Sequence, residues 1–180
     1  MKYPILHRAV NLAVVWHSGQ DRKYTNLPYI SHPLRVMSIV RRVSDNEAML
    51  AAAVLHDVVE DTDAGEDDIR REFGDTVGDL VMWLTDVSKS EDGNRKQRKH
   101  IDLLHTADAP AEAQTIKLAD LIDNTRSITA ADPHFAMVYM AEKERLLPIL
   151  IKGHPTLQEE AKALLVEYQE GRLQEALHHG

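Results

Sequence analysis

The chain contains no cysteine, few aromatic residues and no long hydrophobic segment. The absence of cysteine excludes disulfide scaffolds, thiolate zinc ribbons and cysteine nucleophiles. The longest uncharged apolar run, residues 48–55, is far shorter than the roughly 20 residues that cross a bilayer. Residues 1–16 lack the apolar core of a secretory signal, because His7, Arg8 and Asn11 interrupt them. We therefore expect a soluble cytoplasmic protein with no membrane partner.

Positive charge is also scarce, since 21 Lys and Arg stand against 29 Asp and Glu, for a formal net charge of −8. This balance argues against a protein that coats nucleic acid, because such a protein needs a basic surface. The length of 180 residues, with 43% hydrophobic and 28% charged residues, is typical of one globular domain. Ten histidines are a high count for such a chain.

Apolar residues recur mainly with helical spacing, and strand-like alternation is rare. The sequence therefore predicts a single all-α domain over residues 1–180, with short connections. Ser44 and Glu47 form a capping-box pattern ahead of the apolar run at 49–55. The predicted helices cover residues 4–16, a helix that starts near 31, then 49–55, 67–73, 76–87, 95–106, 111–128, 133–151 and 157–177.

The most informative segment, residues 52–62, places four ionisable side chains among aliphatic ones. On one continuous helix, these four side chains fall within an arc of roughly 140°. They are His56, Asp57, Glu60 and Asp61. Burying them without compensation would cost several kcal/mol each, so the stripe needs a cation, a ligand or open water. A solvated helix face is the alternative, but the His-Asp pair between aliphatic residues favours a functional site.

Two further segments can complete a metal site. Residues 116–128 predict an amphipathic helix whose polar positions share a face: Lys117, Asp120, Asp123 or Asn124, and Ser127. His32 stands at the start of another predicted helix. Together with His56 and Asp57, His32 and Asp120 make a set of two imidazoles and two carboxylates. This set suits a divalent ion such as Mn, Fe or Mg better than a thiol-seeking metal.

The order of these motifs resembles the HD superfamily of metal-dependent phosphohydrolases, and most closely the hydrolase domain of RelA/SpoT homologues. The resemblance rests on four segments, which are residues 17–23 (HSGQDRK), 28–33 (PYISHP), 53–62 (AVLHDVVEDT) and 117–126 (KLADLIDNTR). It extends over about residues 8–151 and leaves the predicted helix at about 157–177 outside. Because 180 residues leave no room for synthetase and regulatory regions, the match is to the stand-alone small alarmone hydrolases.

The resemblance implies hydrolysis of the 3′-pyrophosphate of (p)ppGpp to GDP or GTP and pyrophosphate, usually with Mn(II). It implies four metal ligands: His32, His56, Asp57 and Asp120. Glu60 and Asp61 would position and deprotonate the attacking water, and Glu60, four residues after His56, is the better placed. The implied nucleotide contacts are Arg22, Lys23, Tyr29, Ser31, Asn124 and Ser127.

Two departures from the family pattern concern the nucleotide contacts and leave the metal ligands unchanged. Asp123 adds negative charge beside a polyanionic substrate unless it faces outward, and residues 85–89 depart from the spacing of the long homologues. Residues 89–102 carry a local charge of +2, for which we favour a solvated helix face over a phosphate-attracting rim. Two alternatives follow: an HD phosphatase that acts on another phosphorylated nucleotide such as NADPH, or a non-catalytic nucleotide sensor. The Glu60–Asp61 pair argues against the sensor, which needs no water-activating base.

Overall fold

Ten α-helices and two short 3₁₀ helices form the part of the chain that the computed structural model describes, residues 3–23 and 25–179. The α-helices are α1 (Pro4–Trp16), α2 (Ser31–Arg41), α3 (Glu47–Leu55), α4 (Val58–Asp61), α5 (Glu66–Phe73), α6 (Asp75–Leu84), α7 (Arg95–Asp108), α8 (Ala111–Ala131), α9 (Pro133–Leu146) and α10 (Pro155–His179). The 3₁₀ helices are Ser90–Asp92 and Leu147–Ile149. The predicted all-α fold is confirmed.

Helix α3 lies at the centre of the core, because it is apolar on every side and must be covered on every side. All its residues from Met49 to Leu55 are buried, and α1, α2, α6 and α8 pack around it. The three consecutive alanines at 51–53 have short side chains, which allow neighbouring backbones to approach closely. No helix among the described residues is long and apolar enough to cross a membrane.

The capping interactions around α3 differ from the predicted capping box. Asn46 is the N-cap, and its side-chain oxygen accepts hydrogen bonds from the amides of residues 48 and 49. Glu47 turns instead to the start of α1, where its carboxylate accepts from the Ile5 and Leu6 amides at 2.6 and 3.1 Å. The first amides of α1 have no partner within their own helix, so this tertiary contact satisfies them.

The segment 52–62 is not the single helix that the spacing predicts. Helix α3 ends, a turn at His56 and Asp57 follows, and α4 then begins. The His56 Nδ1 atom lies 2.9 Å from the Ala53 carbonyl oxygen, which in a continuous helix accepts from the Asp57 amide. Asp57 has φ −97° and ψ −3°, away from helical values. The break turns both side chains toward one point, although a continuous helix separates them by about 100°.

Two predicted helices end earlier than expected. Helix α6 ends at Leu84, and the following loop is fixed by Asp102 of α7, whose carboxylate accepts from the amides of residues 87 and 88. Helix α9 ends at Leu146, because Pro148 has no amide hydrogen to continue the ladder. Neither helix boundary changes the order of elements that supply the predicted site.

Candidate active site

The four predicted metal ligands come together from three parts of the fold. His32 lies in the first turn of α2, His56 and Asp57 lie in the turn after α3, and Asp120 lies in the middle of α8. His32 Nε2 is 3.5 Å from Asp57 Oδ2 and 3.2 Å from Asp120 Oδ1. His56 Nε2 is 3.1 and 3.7 Å from the same two oxygens. Neighbouring ligands of a small divalent ion are about 3 Å apart when each bond is about 2.1 Å.

The hydrogen bonds of the two imidazoles fit a bound ion. His56 Nδ1 faces the Ala53 carbonyl oxygen, and His32 Nδ1 lies 2.7 Å from Asp123 Oδ2. With Nδ1 as the donor, each ring in its neutral form keeps a lone pair on Nε2, the atom that faces the cluster. His56 Nε2 is buried and has no hydrogen-bond partner among the described residues. The donor set and this unpaired nitrogen therefore fit a divalent metal, for which His32, His56 and Asp57 form a candidate group.

Charge is concentrated and balanced at this cluster. Burial opposes ionisation of Asp120, but Lys117 and the two imidazoles outweigh it and hold the pKa of Asp120 well below its usual range. Lys117 Nζ lies 3.5 Å from Asp120 Oδ2. Burial opposes protonation of His56, yet Asp57 and Asp120 raise its pKa well above the ordinary value. The Asp120 carboxylate is thus ionised and can bind a cation.

Four predicted nucleotide contacts bind the predicted metal ligands or each other. The Tyr29 hydroxyl donates to Asp57 Oδ2 at 2.6 Å, and burial followed by Asp57 raises the pKa of Tyr29, so it stays protonated. The Asn124 amide donates to Asp120 Oδ1 at 2.5 Å. Arg22 donates to Asn124 Oδ1 at 2.5 Å and to Ser127 Oγ at 3.2 Å. Arg22 is therefore held in place from α8.

The predicted catalytic acids both lie on the wall of a cavity of about 1170 Å³, which is also lined by three of the four predicted metal ligands, His32, Asp57 and Asp120. Glu60 Oε1 accepts from the Asp86 amide at 2.6 Å, which ties α4 to the loop after α6. Glu60 is open to the cavity but surrounded by protein. Burial in this wall, reinforced by the charge of Asp86, raises the pKa of Glu60 to about 7. The backbone of Asp61 is held by Gln20, whose side-chain amide donates to its carbonyl at 2.6 Å.

Two other predicted residues lie beside the site. The Lys23 ammonium lies 5.6 Å from the centre of the Phe135 ring. Ser31 precedes His32, and its hydroxyl oxygen is buried without a hydrogen-bond partner among the described residues. Neither residue belongs to the cavity wall.

The cavity wall also includes residues outside the predicted site. Three basic residues of α7 line it, Arg95, Lys96 and Lys99, of which Arg95 is paired with Glu142 and Lys99 with Asp86. Lys117, in the motif beside Asp120, faces the same space. Lys117 stands three residues before Asp120, a predicted metal ligand, and this spacing could have indicated that it faces the site. No sequence pattern indicated that Asp86 contacts Glu60, because the contact is made by the backbone amide of Asp86.

Family comparison agrees with this geometry. A family model described as HD domain matches residues 9–146. The chain belongs to the HD domain family. The family membership predicted from the motifs is thereby confirmed.

Three similar proteins align with this chain over different shares of their own length. The guanosine-3′,5′-bis(diphosphate) 3′-pyrophosphohydrolase MESH1 of Xenopus tropicalis is 34% identical over 133 residues, 72% of each protein. A GTP pyrophosphokinase of Streptomyces antibioticus is 40% identical over 124 residues, which is 68% of this chain but 15% of that enzyme. The solved structure of a metazoan SpoT ortholog that hydrolyses ppGpp matches with a TM-score of 0.82 and 28% identity, over 91% of this chain and 95% of that one.

Proposed function

We propose that this HD domain is a metal-dependent (p)ppGpp 3′-pyrophosphohydrolase, which gives GDP or GTP and pyrophosphate. The observation that carries the proposal is the cluster of two imidazoles and two carboxylates, of which His32, Asp57 and Asp120 line a large cavity. Relatives of similar size that share this domain are named for the same reaction. We expect the reaction to take place in the cytoplasm.

The proposed metal ligands are His32, His56, Asp57 and Asp120, and we favour Mn²⁺ because the set mixes imidazole with carboxylate. When bound, such an ion supplies a Lewis acid that polarises the phosphoryl group and lowers the pKa of water. The Tyr29 hydroxyl and the Asn124 amide each hold one carboxylate of this set in place. The protein thus fixes its ligands through outer hydrogen bonds.

Glu60 is the residue that we assign to accept the proton of the attacking water. Its Oε1 atom is occupied by the Asp86 amide, which leaves Oε2 for the proton. A carboxylate whose pKa lies near 7 is suited to act as a base near neutral pH. Asp61, the next residue and also on the cavity wall, is assigned to orient the water. In the reaction, the water oxygen bonds to the phosphorus, whose bond to the ribose 3′ oxygen breaks.

The proposed substrate contacts are divided between direct and supporting residues. Arg22 is buried on the cavity wall, and Asn124 and Ser127 hold its guanidinium, so we assign Arg22 to the nucleotide. Tyr29 forms part of the wall beside it. We also assign Lys23 a contact with the nucleotide and Ser31 a supporting position before His32. The basic residues of α7 and Lys117 supply positive charge for the phosphates in this otherwise acidic protein.

A turnover assay on a nucleotide panel tests the function. Protein stripped of metal is mixed with ppGpp, pppGpp or NADPH, with or without Mn²⁺, and the products are separated by chromatography. We expect GDP or GTP and pyrophosphate only when metal is present. Intact ppGpp after Mn²⁺ binding has been verified would refute the proposal. Preferential conversion of NADPH in a competition experiment would identify the alternative phosphatase.

Replacing Glu60 with glutamine tests its assigned role. The glutamine oxygen can still accept from the Asp86 amide, so the fold should be preserved while the base is lost. We expect kcat to fall by about 10²- to 10⁴-fold, with ligand binding retained. Glu112→Gln, at an exposed position in the first turn of α8, is the matched control and should have normal turnover. Full turnover by Glu60→Gln would exclude Glu60 as the base.

A further inference from the structure

Asp123 lies inside the fold and contacts a proposed metal ligand. It is 5% exposed, and its Oδ2 atom is 2.7 Å from His32 Nδ1. Its Oδ1 atom accepts from Arg35 Nε at 2.6 Å, and Arg35 Nη2 lies 3.1 Å from Oδ2. The outward orientation that would have made Asp123 irrelevant to the site is therefore not adopted.

The contact with Asp123 determines which nitrogen of His32 is free. An ionised carboxylate accepts hydrogen bonds and cannot donate them, so it favours the ring with hydrogen on Nδ1. The lone pair then lies on Nε2, which faces Asp57 and Asp120 at 3.5 and 3.2 Å. His56 has the same arrangement, but its Nδ1 faces a neutral backbone carbonyl. A carboxylate partner makes the imidazole a stronger ligand than a carbonyl partner does.

The sequence spacing brings the three groups of this contact together. His32 and Arg35 are three residues apart on α2, so their side chains lie on one face and reach the same carboxylate. Asp123 follows the ligand Asp120 by three residues on α8, so one face of α8 supplies both. Arg22 Nη2 also lies 3.8 Å from Asp123 Oδ2. Two arginines thus balance the charge that would otherwise repel a polyanionic substrate.

We propose that Asp123, held by Arg35, is a positioning residue that fixes the tautomer and the orientation of His32 for metal binding. The inference rests on the proposed metal site, which it deepens. Asp123 acts through His32 and is not assigned a contact with the substrate. If Asp123 serves only to join α2 and α8, its loss lowers stability but leaves metal affinity unchanged.

Mn²⁺ affinity is the property that separates these roles. Free Mn²⁺ is titrated by electron paramagnetic resonance against the full chain and against Asp123→Asn, which retains the side-chain shape but removes the charge. We expect the variant to bind Mn²⁺ about 10-fold more weakly, within the 10- to 100-fold range typical of outer partners of metal ligands. The matched control is Glu160→Gln, because Glu160 also accepts from two arginines, Arg42 and Arg126, but does not touch the cluster. Its affinity should be unchanged.

Equal Mn²⁺ affinity of Asp123→Asn and the unsubstituted chain would overturn this inference while leaving the metal site intact. If the unsubstituted chain does not bind Mn²⁺, the metal site itself fails, and the inference fails with it. A second measurement needs no substitution: long-range ¹H–¹⁵N NMR of the Mg²⁺-loaded chain reports which His32 nitrogen carries hydrogen. We expect hydrogen on Nδ1, and hydrogen on Nε2 would overturn the inference.

Discussion

Replacing Lys143 with methionine should make the protein more stable at neutral pH. Lys143 lies on α9 with 1% of its surface exposed, and its ammonium donates to the Thr125 hydroxyl at 2.7 Å. The partner in this bond is a neutral hydroxyl, so the bond does not offset the cost of burying a charge. Burial, with a smaller effect of Arg126, lowers the pKa of Lys143 to about 8.

The change in pKa gives the size and the pH dependence of the effect. A fall from 10.5 to about 8 corresponds to a penalty of about 3 kcal/mol when the lysine is charged in both states. The lost hydrogen bond to Thr125 offsets about 1 kcal/mol of this, so the expected gain is about 2 kcal/mol at pH 7. Between about pH 8 and 10.5 the unfolded chain binds more protons than the folded one, so the unsubstituted protein gains stability as pH rises. The advantage of the variant should therefore shrink over this range and disappear at about pH 10, where the remaining penalty equals the roughly 1 kcal/mol of the lost hydrogen bond.

Urea unfolding at pH 7 and pH 10 measures this difference directly. Lys162→Met, at an exposed position on α10, is the control and should change the free energy of unfolding by less than about 0.5 kcal/mol. A Lys143→Met variant that is less stable than the original chain at pH 7 would refute the reasoning. That result would mean that the buried ammonium makes a net favourable contribution.

Two further substitutions test other parts of the structure. Tyr29→Phe removes the hydroxyl that holds Asp57, and we expect about 10-fold weaker Mn²⁺ binding in a calorimetric titration; an unchanged affinity would contradict this role. Glu47→Ala removes the acceptor of the Ile5 and Leu6 amides, and we expect a loss of about 2 kcal/mol in urea unfolding. A loss below about 0.5 kcal/mol would show that water replaces Glu47 at the start of α1.

Helical periodicity was sufficient to predict the order of the helices, because most apolar stripes face a single core. The motifs also predicted which four polar side chains would meet, although these come from three parts of the chain. What spacing could not predict was the break at His56. That break arises because the ring of His56 binds the Ala53 carbonyl, a competition between side chain and backbone that periodicity does not represent. On a continuous helix the side chains of His56 and Asp57 would point in directions about 100° apart.

Contacts between distant segments account for the other differences. Glu47 was expected in a local capping box, but it binds the start of α1, a partner more than 40 residues away. The sequence places Asp123 on the polar face of its helix and shows an added charge there, but does not show its contacts, because its partners His32 and Arg35 lie on another helix. The sequence did not indicate that Lys143 is buried, since a lysine in an amphipathic helix is usually solvated. The surroundings of these three residues depend on how the helices pack, which the pattern of a single sequence does not specify.

The proposed activity is the metal-dependent release of intact pyrophosphate from the 3′ position of (p)ppGpp. The most direct measurement is ³¹P NMR of ppGpp incubated with the metal-stripped chain, before and after Mn²⁺ is added. We expect no change before addition and equal amounts of GDP and pyrophosphate afterwards, with turnover at least about 100-fold lower in Glu60→Gln. Release of orthophosphate in place of pyrophosphate, or equal turnover without metal, would contradict the proposed activity.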